Sequence, residues 1–376
     1  MTISPLLVAG VLGLAVAYLL TPAVLWIATQ FGVVTMPGGR HIHTRPVPRL
    51  GGLAVYAAFV AAVVVGLPVE RPIHVVFGAA RILVTIPYTP AIDRPIVGLL
   101  LGTTLITVIG AIDDIRGISP LVKLAGQLLA AVIVLPFGVG MDVLSNPLGG
   151  MFFVGPLGAV VTVAWLVALC NVMNLIDGVD GLATGIATIA GATLLVASYL
   201  RGDVGTAILA AALMGAALGF LPYNFNPARI FLGDTGSMLL GYVLGGLSVL
   251  GTYKSYTALS LLVPLAALGV PVADTALAIA RRWRSGQPIF QADTGHLHHQ
   301  LLRQGLSPRQ TVAVLYLVTG VLGAGALVLS GIHRFDLIAV FGILLFFLAL
   351  GARRIGLFAG RGANGTARPG PGDVAR

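Results

Sequence analysis

The segment Asn171-Val-Met-Asn-Leu-Ile-Asp-Gly-Val-Asp-Gly181 places four polar side chains, Asn171, Asn174, Asp177 and Asp180, at intervals of three. On an α-helix each such step turns about 60°, so the four spiral over half the circumference and cannot share one face. Gly178 and Gly181 resolve the conflict by letting the chain leave the helix after Asp177, which would fold Asp180 back toward it and let a ligand approach closely. Hard oxygen ligands on a glycine-rich turn suit Mg2+, with Mn2+ as a substitute, and a diphosphate. The competing reading is a capped helix end with an Asx turn.

Three other segments carry matching chemistry. In Ala111-Ile-Asp-Asp-Ile-Arg-Gly117 the adjacent Asp113 and Asp114 repel each other, so either a cation sits between them or one carboxyl has a raised pKa and acts as a base. The plainer alternative is a solvated helix end. In Asn224-Phe-Asn-Pro-Ala-Arg-Ile-Phe-Leu-Gly-Asp-Thr-Gly-Ser237, Gly233 and Gly236 flank Asp234, a candidate metal ligand alongside Asp177 and Asp114. Thr235 or Ser237 is expected to cap the helix that follows, and Phe231 is either an ordinary boundary anchor or a platform for a nucleobase. The stretch 281–310 contains Gly295-His-Leu-His-His-Gln300. His296 and His299 share a face if it is helical. Zinc is one reading of His296, His298 and His299, but no loop cysteine completes a site; the imidazoles can instead hold a phosphate. Asp274, seven residues before Arg281, reads as bundle-facing.

The elements that must position these groups follow from composition. With 57% hydrophobic and 9% charged residues, the chain departs far from the roughly 25% charge of a soluble domain. Disorder, a disulfide scaffold and a coiled coil fail on the same figures. The apolar runs are about 17 to 25 residues long and do not alternate, which fits transmembrane helices and excludes a barrel. The expected architecture is all-α, a polytopic membrane bundle of about eleven spans, near 4–30, 50–68, 95–112, 120–138, 156–176, 182–200, 205–222, 235–252, 257–281, 310–330 and 336–353. The first run lacks a basic n-region and a cleavage site and reads as a retained span.

Of the 22 lysines and arginines, sixteen fall on one side of this arrangement and six on the other. The positive-inside rule then puts the N-terminus outside and the C-terminus in the cytoplasm, with the candidate acids and histidines on the cytoplasmic face. Net charge +9 has no soluble basic domain to sit on, so no nucleic-acid partner is expected. The single cysteine, Cys170, forbids an internal disulfide. Residues 1–353 form one catalytic domain, and 354–376, rich in Gly, Ala, Pro and Arg, read as a disordered tail. The insert 68–95 reads as an interfacial hairpin or helix on the outer side. No internal repeat supports a transporter.

Carboxylates for a divalent cation, basic side chains for phosphates and an aromatic for a base, gathered on one membrane face, describe a site for a nucleotide diphosphate with a lipid as acceptor. The chain resembles the polyprenyl-phosphate N-acetylhexosamine-1-phosphate transferases, which include bacterial GlcNAc-1-phosphate transferases and the phospho-MurNAc-pentapeptide translocase. The resemblance spans about residues 30–310 and rests on Arg45-Pro-Val-Pro-Arg-Leu-Gly-Gly52, Asp113-Asp114 with Lys123, Asn171 to Gly181, Phe231 to Ser237, Pro271-Val-Ala-Asp-Thr275 and His296-Leu-His-His299. It implies transfer of a sugar 1-phosphate from a UDP-N-acetylhexosamine to undecaprenyl phosphate with release of UMP. It implies Mg2+ on Asp234 with nearby carboxylates, Asp113 as candidate base and Lys123 holding the lipid phosphate. Asn174, Asp177 and Asp180, with Asn171, would line the nucleotide site, Phe231 would stack on uracil, and the histidines would meet the diphosphate or sugar. Arg45, Arg281 and Arg282 are the further substrate-binding candidates. The MurNAc-pentapeptide branch usually has Thr-Pro-Thr-Met-Gly-Gly where this chain has Val47-Pro-Arg-Leu-Gly-Gly52, so the resemblance implies UDP-GlcNAc and, as in the family, a possible homodimer.

Overall fold

The computed structural model describes residues 4–36, 46–67, 72–77, 82–87, 93–141, 143–145, 151–253, 262–284 and 297–329, with 342 and 346. Its elements in chain order begin with α1 (Pro5–Gln30), the two-residue strands β1 (Val34–Thr35) and β2 (Val47–Pro48), and α2 (Gly51–Gly66). An antiparallel hairpin, β3 (Pro72–Phe77) and β4 (Ile82–Pro87), precedes α3 (Asp93–Arg116) and α4 (Pro120–Ile133), which ends in a 3-10 turn at Leu135–Phe137. A second small hairpin, β5 (Val143–Ser145) and β6 (Met151–Phe153), leads to α5 (Leu157–Ile176), α6 (Leu182–Leu200), α7 (Val204–Asn224) and α8 (Gly233–Tyr253). The described chain closes with α9 (Leu262–Ala267), α10 (Gly269–Arg284), α11 (Leu297–Arg303) and α12 (Pro308–Leu329).

This is a polytopic helical membrane protein. Seven of the described helices, α1, α3, α4 with its 3-10 turn, α5, α6, α7 and α12, are long and apolar enough to cross a bilayer. Four of the eleven expected runs are not among these seven. The run at 50–68 is α2, apolar but only 16 residues long. The run at 235–252 is α8, whose Gly, Ser, Thr and Asp content keeps it out of those seven because it touches protein on every side. Met238, Leu240, Tyr242, Leu244, Leu247 and Val249 are all fully buried. The described part of the run at 257–281, from Leu262, is two helices with a turn at Leu268. Val272 N–H still donates to Leu268 O at 3.0 Å, but Pro271 lacks an N–H and its ring opposes the Ala267 carbonyl, which kinks the axis. The run at 336–353 lies outside the described residues, as does the 354–376 tail. The insert 68–95 takes the hairpin form of its two expected alternatives, with Ile73 opposite Ile86.

Small residues set how closely α8 is approached. A Cβ on Gly52 of α2 would lie 2.1 Å from Gly236 N, so the N-terminal turns of α2 and α8 cross backbone to backbone, the contact that drives helix association where water cannot. Tyr242 closes the other side by donating to Ala130 O at 2.6 Å. The start of α8, which carries Asp234, is thereby fixed against α2 and α4.

Candidate active site

The loop ahead of α8 is stitched to the residues ahead of α2. Phe231 N–H donates to Pro48 O at 2.8 Å, and Gly51 and Gly52 N–H donate back to the carbonyls of Phe231 and Leu232 at 3.0 and 2.9 Å. Leu50 takes φ +75° to make this possible, a left-handed conformation that a branched side chain adopts only under tertiary constraint. The stitching puts Phe231 and Arg49 on the wall of a cavity of about 660 Å³, within the size range of small-ligand sites.

The N-terminus of α8 is capped from another helix. Asp114 Oδ1 accepts the Asp234 N–H at 3.0 Å; its Oδ2 accepts the Thr235 N–H at 2.9 Å and hydroxyl at 2.6 Å. This corrects the expectation that Thr235 or Ser237 caps α8: a carboxylate from α3 satisfies the orphan donors, while Ser237 Oγ donates to Gly233 O at 2.9 Å. Gly233, at φ +74°, leaves room for it, since a Cβ there would stand 2.4 Å from Asp114 Oδ2. Asp114 lines the cavity but its oxygens are engaged by α8.

Asp234, so oriented, joins a charged network. Lys123 Nζ lies 3.0 Å from Asp113 Oδ2 and 2.8 Å from Asp234 Oδ2, and donates to Asn174 Oδ1 at 3.2 Å. Asn174 Nδ2 donates to Asp234 Oδ1 and, at 2.9 Å, to Ser237 Oγ. Asp113 Oδ1 accepts the Ile118 N–H at 2.8 Å. Four helices thus meet on one ammonium group, with two carboxylates around it.

The opposite rim is less bonded. α5 ends at Ile176, and Asp177, whose N–H donates to Asn174 O at 3.4 Å, lies on the cavity wall with no hydrogen bond or ion pair from its carboxyl to any described residue. Desolvation, then the like charges of Asp234, Asp114 and Asp180, hold its carboxyl well above the usual carboxylate range. Asp180 turns away to fix the next loop, its Oδ2 accepting from Asn226 Nδ2 at 3.0 Å and Ala228 N–H at 2.9 Å. α11 packs on this turn: a Cβ on Gly178 would lie 3.0 Å from His298 Nε2. The rings of His298 and His299 are 4.2 Å apart; His298 is buried, and His299 lines the cavity. Asp274, buried in α10, accepts the Leu297 N–H at 2.8 Å and so anchors the first turn of α11.

The structure therefore brings Asp114, Asn174, Asp177, Asp180, Phe231, Asp234 and His299 to one cavity, with Asp113 and Lys123 bonded to its wall. It does not bring Asn171 there: Asn171 Nδ2 donates to Gln127 Oε1 at 2.7 Å and joins α5 to α4. Arg282 is buried in α10 and is not on the cavity wall. Arg45 and His296, and the side chain of Arg281, lie outside the described residues. Arg49, Asn226 and Arg303 line the cavity and were not foreseen. Arg49 stands inside the quoted motif at 45–52, and Arg303 is one helical turn beyond His299, so position along a helix face was the signal for the second.

Among the described residues no group of three His, Cys, Asp or Glu is close enough to form a ready-made metal cage. The donor set fits a cation of another kind. Mg2+ commonly binds through one or two carboxylates and the phosphates of its substrate, and the unpartnered Asp177 carboxylate with Asp234 across the cavity meets that requirement.

Residues 96–252 match glycosyl transferase family 4. The chain is 37% identical over 353 residues, 94% of its own length and 92% of the relative's, to a probable undecaprenyl-phosphate N-acetylglucosaminyl 1-phosphate transferase of Bacillus subtilis. It is 37% identical over 84% of its length to the decaprenyl-phosphate N-acetylglucosaminephosphotransferase of Mycolicibacterium smegmatis, covering 80% of that protein. It is 26% identical over 79% of its length to the undecaprenyl-phosphate alpha-N-acetylglucosaminyl 1-phosphate transferase of Escherichia coli, covering 77% of that protein. The chain belongs to this family of polyprenyl-phosphate N-acetylhexosamine-1-phosphate transferases.

Proposed function

We propose that the protein transfers N-acetylglucosamine 1-phosphate from UDP-GlcNAc to undecaprenyl or a similar polyprenyl phosphate and releases UMP. The observation that carries this reading is the Lys123 network, an ammonium held by Asp113, Asn174 and Asp234 at the wall of a cavity whose other side presents Asp177, Phe231 and His299. A lipid phosphate oxygen attacks the phosphorus that bears the sugar; the bond from that phosphorus to the bridging oxygen breaks, and UMP leaves with the oxygen. Both reactants are anions, so positioning and charge neutralisation supply most of the acceleration.

Lys123 receives the acceptor phosphate, and Asp113 keeps Lys123 in place. The second ionisation of a phosphate monoester falls near pH 6, so the acceptor is largely a dianion at neutral pH and the demand on Asp113 as a base is small. Asp177 and Asp234 would hold a Mg2+ that arrives on the diphosphate, and that ion, when bound, neutralises charge on the transferred group. Phe231 offers a face to the uracil, while His299, Arg303 and Arg49 meet the diphosphate and sugar. The sixteen-to-six distribution of basic residues supports a cytoplasmic site in a bacterial plasma membrane, with the N-terminus outside and an odd number of spans.

The test is direct. Detergent-solubilised protein given polyprenyl phosphate, radiolabelled UDP-GlcNAc and Mg2+ is expected to form a labelled lipid and UMP, and EDTA is expected to abolish both. Undiminished product from Asp234→Ala would remove the metal role. Faster UMP release from UDP-GalNAc or UDP-MurNAc-pentapeptide than from UDP-GlcNAc would replace the donor.

A further inference from the structure

The link between α11 and α12 is closed by its own residues. Gly305, at φ +93°, ends α11. Its N–H donates to Leu302 O at 3.0 Å and the Leu306 N–H donates to Leu301 O at 3.3 Å, the crossed pair that terminates a helix on a left-handed glycine. Ser307 then opens α12 in a capping box: its Oγ accepts the Gln310 N–H at 3.3 Å, and Gln310 Oε1 accepts the Ser307 N–H at 2.9 Å. Pro308 follows in the first helical position. Because this link is hydrogen bonded throughout, α11, which carries His299 and Arg303 on the cavity wall, is placed by whatever α12 is fastened to.

α12 is fastened at two points to the backbone around Asp177 and Asp180. Tyr316 Oη donates to Gly181 O at 2.5 Å, the carbonyl that also accepts the Gly185 N–H at 2.9 Å at the start of α6. The ring reaches it because Gly185 has no side chain; a Cβ there would stand 1.9 Å from Tyr316 Cζ. Further along α12, Gly323 returns the fit, since a Cβ on it would lie 2.5 Å from Thr193 Oγ1 of α6, so two notches set the register of α12 on α6. The second point is Arg309, whose Nε donates to Asn226 O at 3.0 Å. Asn226 lines the cavity and is the residue that Asp180 holds.

The Asp177 carboxyl has no described partner, so its place on the cavity wall is set by its backbone, and that turn is held from behind at Gly181. We propose that Tyr316 and Arg309 are positioning residues. They tie the helix that carries His299 and Arg303 to the turn that carries Asp177, and so fix the separation of these groups around the donor diphosphate. Neither reaches the Lys123 network, which leaves the acceptor side to be set independently. The kinetic arm of this inference rests on the transferase reading; its hydrogen-exchange arm needs no turnover.

Tyr316→Phe keeps the ring in the Gly185 notch and removes only the hydroxyl, while Arg309→Met cuts the second tie. In Tyr316→Phe the KM for UDP-GlcNAc is expected to rise about fivefold, the factor carried by one ordinary hydrogen bond, with the KM for polyprenyl phosphate within about twofold of wild type. Arg309→Met is expected to show the same split at smaller amplitude, so a folding defect in one variant leaves the other as the test. Without substrate, amides of residues 177–185 are expected to exchange hydrogen about fivefold faster in Tyr316→Phe, and those of 233–240 at the wild-type rate. A wild type that forms no lipid product would remove the transferase reading, and unchanged exchange at 177–185 would then overturn this inference by itself. With turnover present, an unchanged KM for UDP-GlcNAc in both variants would overturn it, whether or not the thermal midpoint fell, because the two side chains would then only pack. An equal rise in both KM values would overturn it too, since the effect would not be confined to the donor side.

Discussion

The two sides of the cavity lined by Asp177 and Asp234 are built differently. On one side Asp113, Lys123, Asn174 and Asp234 satisfy one another across four helices, and Asp114 locks the start of α8 beneath them. On the other, the Asp177 carboxyl stands at the end of α5 with no described partner, beside a seven-residue helix, α11, that carries His298 and His299. A saturated network holds geometry, whereas an unpaired carboxylate with a raised pKa carries an energetic cost that only a ligand relieves. The first side is expected to govern stability and rate together; at Asp177 on the second side the two are expected to move in opposite directions.

Breaking the network should give the largest effect. Lys123→Met leaves Asp113 and Asp234 facing each other without a cation, the arrangement that makes removal of one partner of a buried pair cost about 3–5 kcal/mol. Turnover should fall by at least about 100-fold, and the thermal midpoint should fall with it. A variant that lost turnover at an unchanged midpoint would show that the network is not structural.

Asp177→Asn should lose turnover comparably, by about 100-fold, with the opposite sign in stability. The folded-state pKa of Asp177 is raised above its unfolded value, so folding favours the protonated carboxyl. The stability it confers is complete below the unfolded pKa, near 3.9, and is lost as pH rises through the folded value. In EDTA the wild-type midpoint should therefore drop as pH is raised from 4 toward neutrality, and Asp177→Asn should flatten that slope and melt higher at neutral pH. Parallel melting curves for the two proteins would place Asp177 in solvent.

The comparison can be sharpened at Asp274, which acts on α11 from α10. Asp274→Asn keeps an oxygen acceptor for the Leu297 N–H, while Asp274→Ala does not and should cost about 1 kcal/mol of anchoring. The expected outcome is a several-fold rise in KM for UDP-GlcNAc in the alanine variant, with kcat less affected and substantial recovery in the asparagine variant. Equal loss in both would mean that the charge, not the anchor, matters.

Much of this was legible in the residues. The helix lengths of α1, α3, α5, α6, α7 and α12 follow from apolar runs because a bilayer imposes one length on any chain that crosses it. The helix end at Asp177 follows from Gly178 and Gly181. What was not legible depends on partners distant in sequence. α8 reads as a weak span because its glycines and hydroxyls face other helices. Asp114 reads as a metal ligand, yet the donors it meets are 120 and 121 residues away. Arg49 gave no signal of its own, since its place on the cavity depends on the left-handed Leu50 and the strap to Phe231.

Asn171 and Asn174 give the finest form of the comparison, because the sequence offers them as equals and the structure separates them by one turn of α5. Asn174 bonds Lys123 and Asp234; Asn171 bonds Gln127, itself buried and donating to Met238 Sδ at 3.2 Å. Replacing Asn174 by Ala removes a member of the network and should cost turnover about tenfold, one hydrogen bond to a charged group being worth about 1.5 kcal/mol or more. Asn171→Ala leaves the cavity intact and strands part of Gln127, so the expected result is a loss of about 1–2 kcal/mol in stability with kcat within about twofold of wild type. Similar kcat values for the two variants would collapse the distinction between wall and packing that the three-residue spacing conceals.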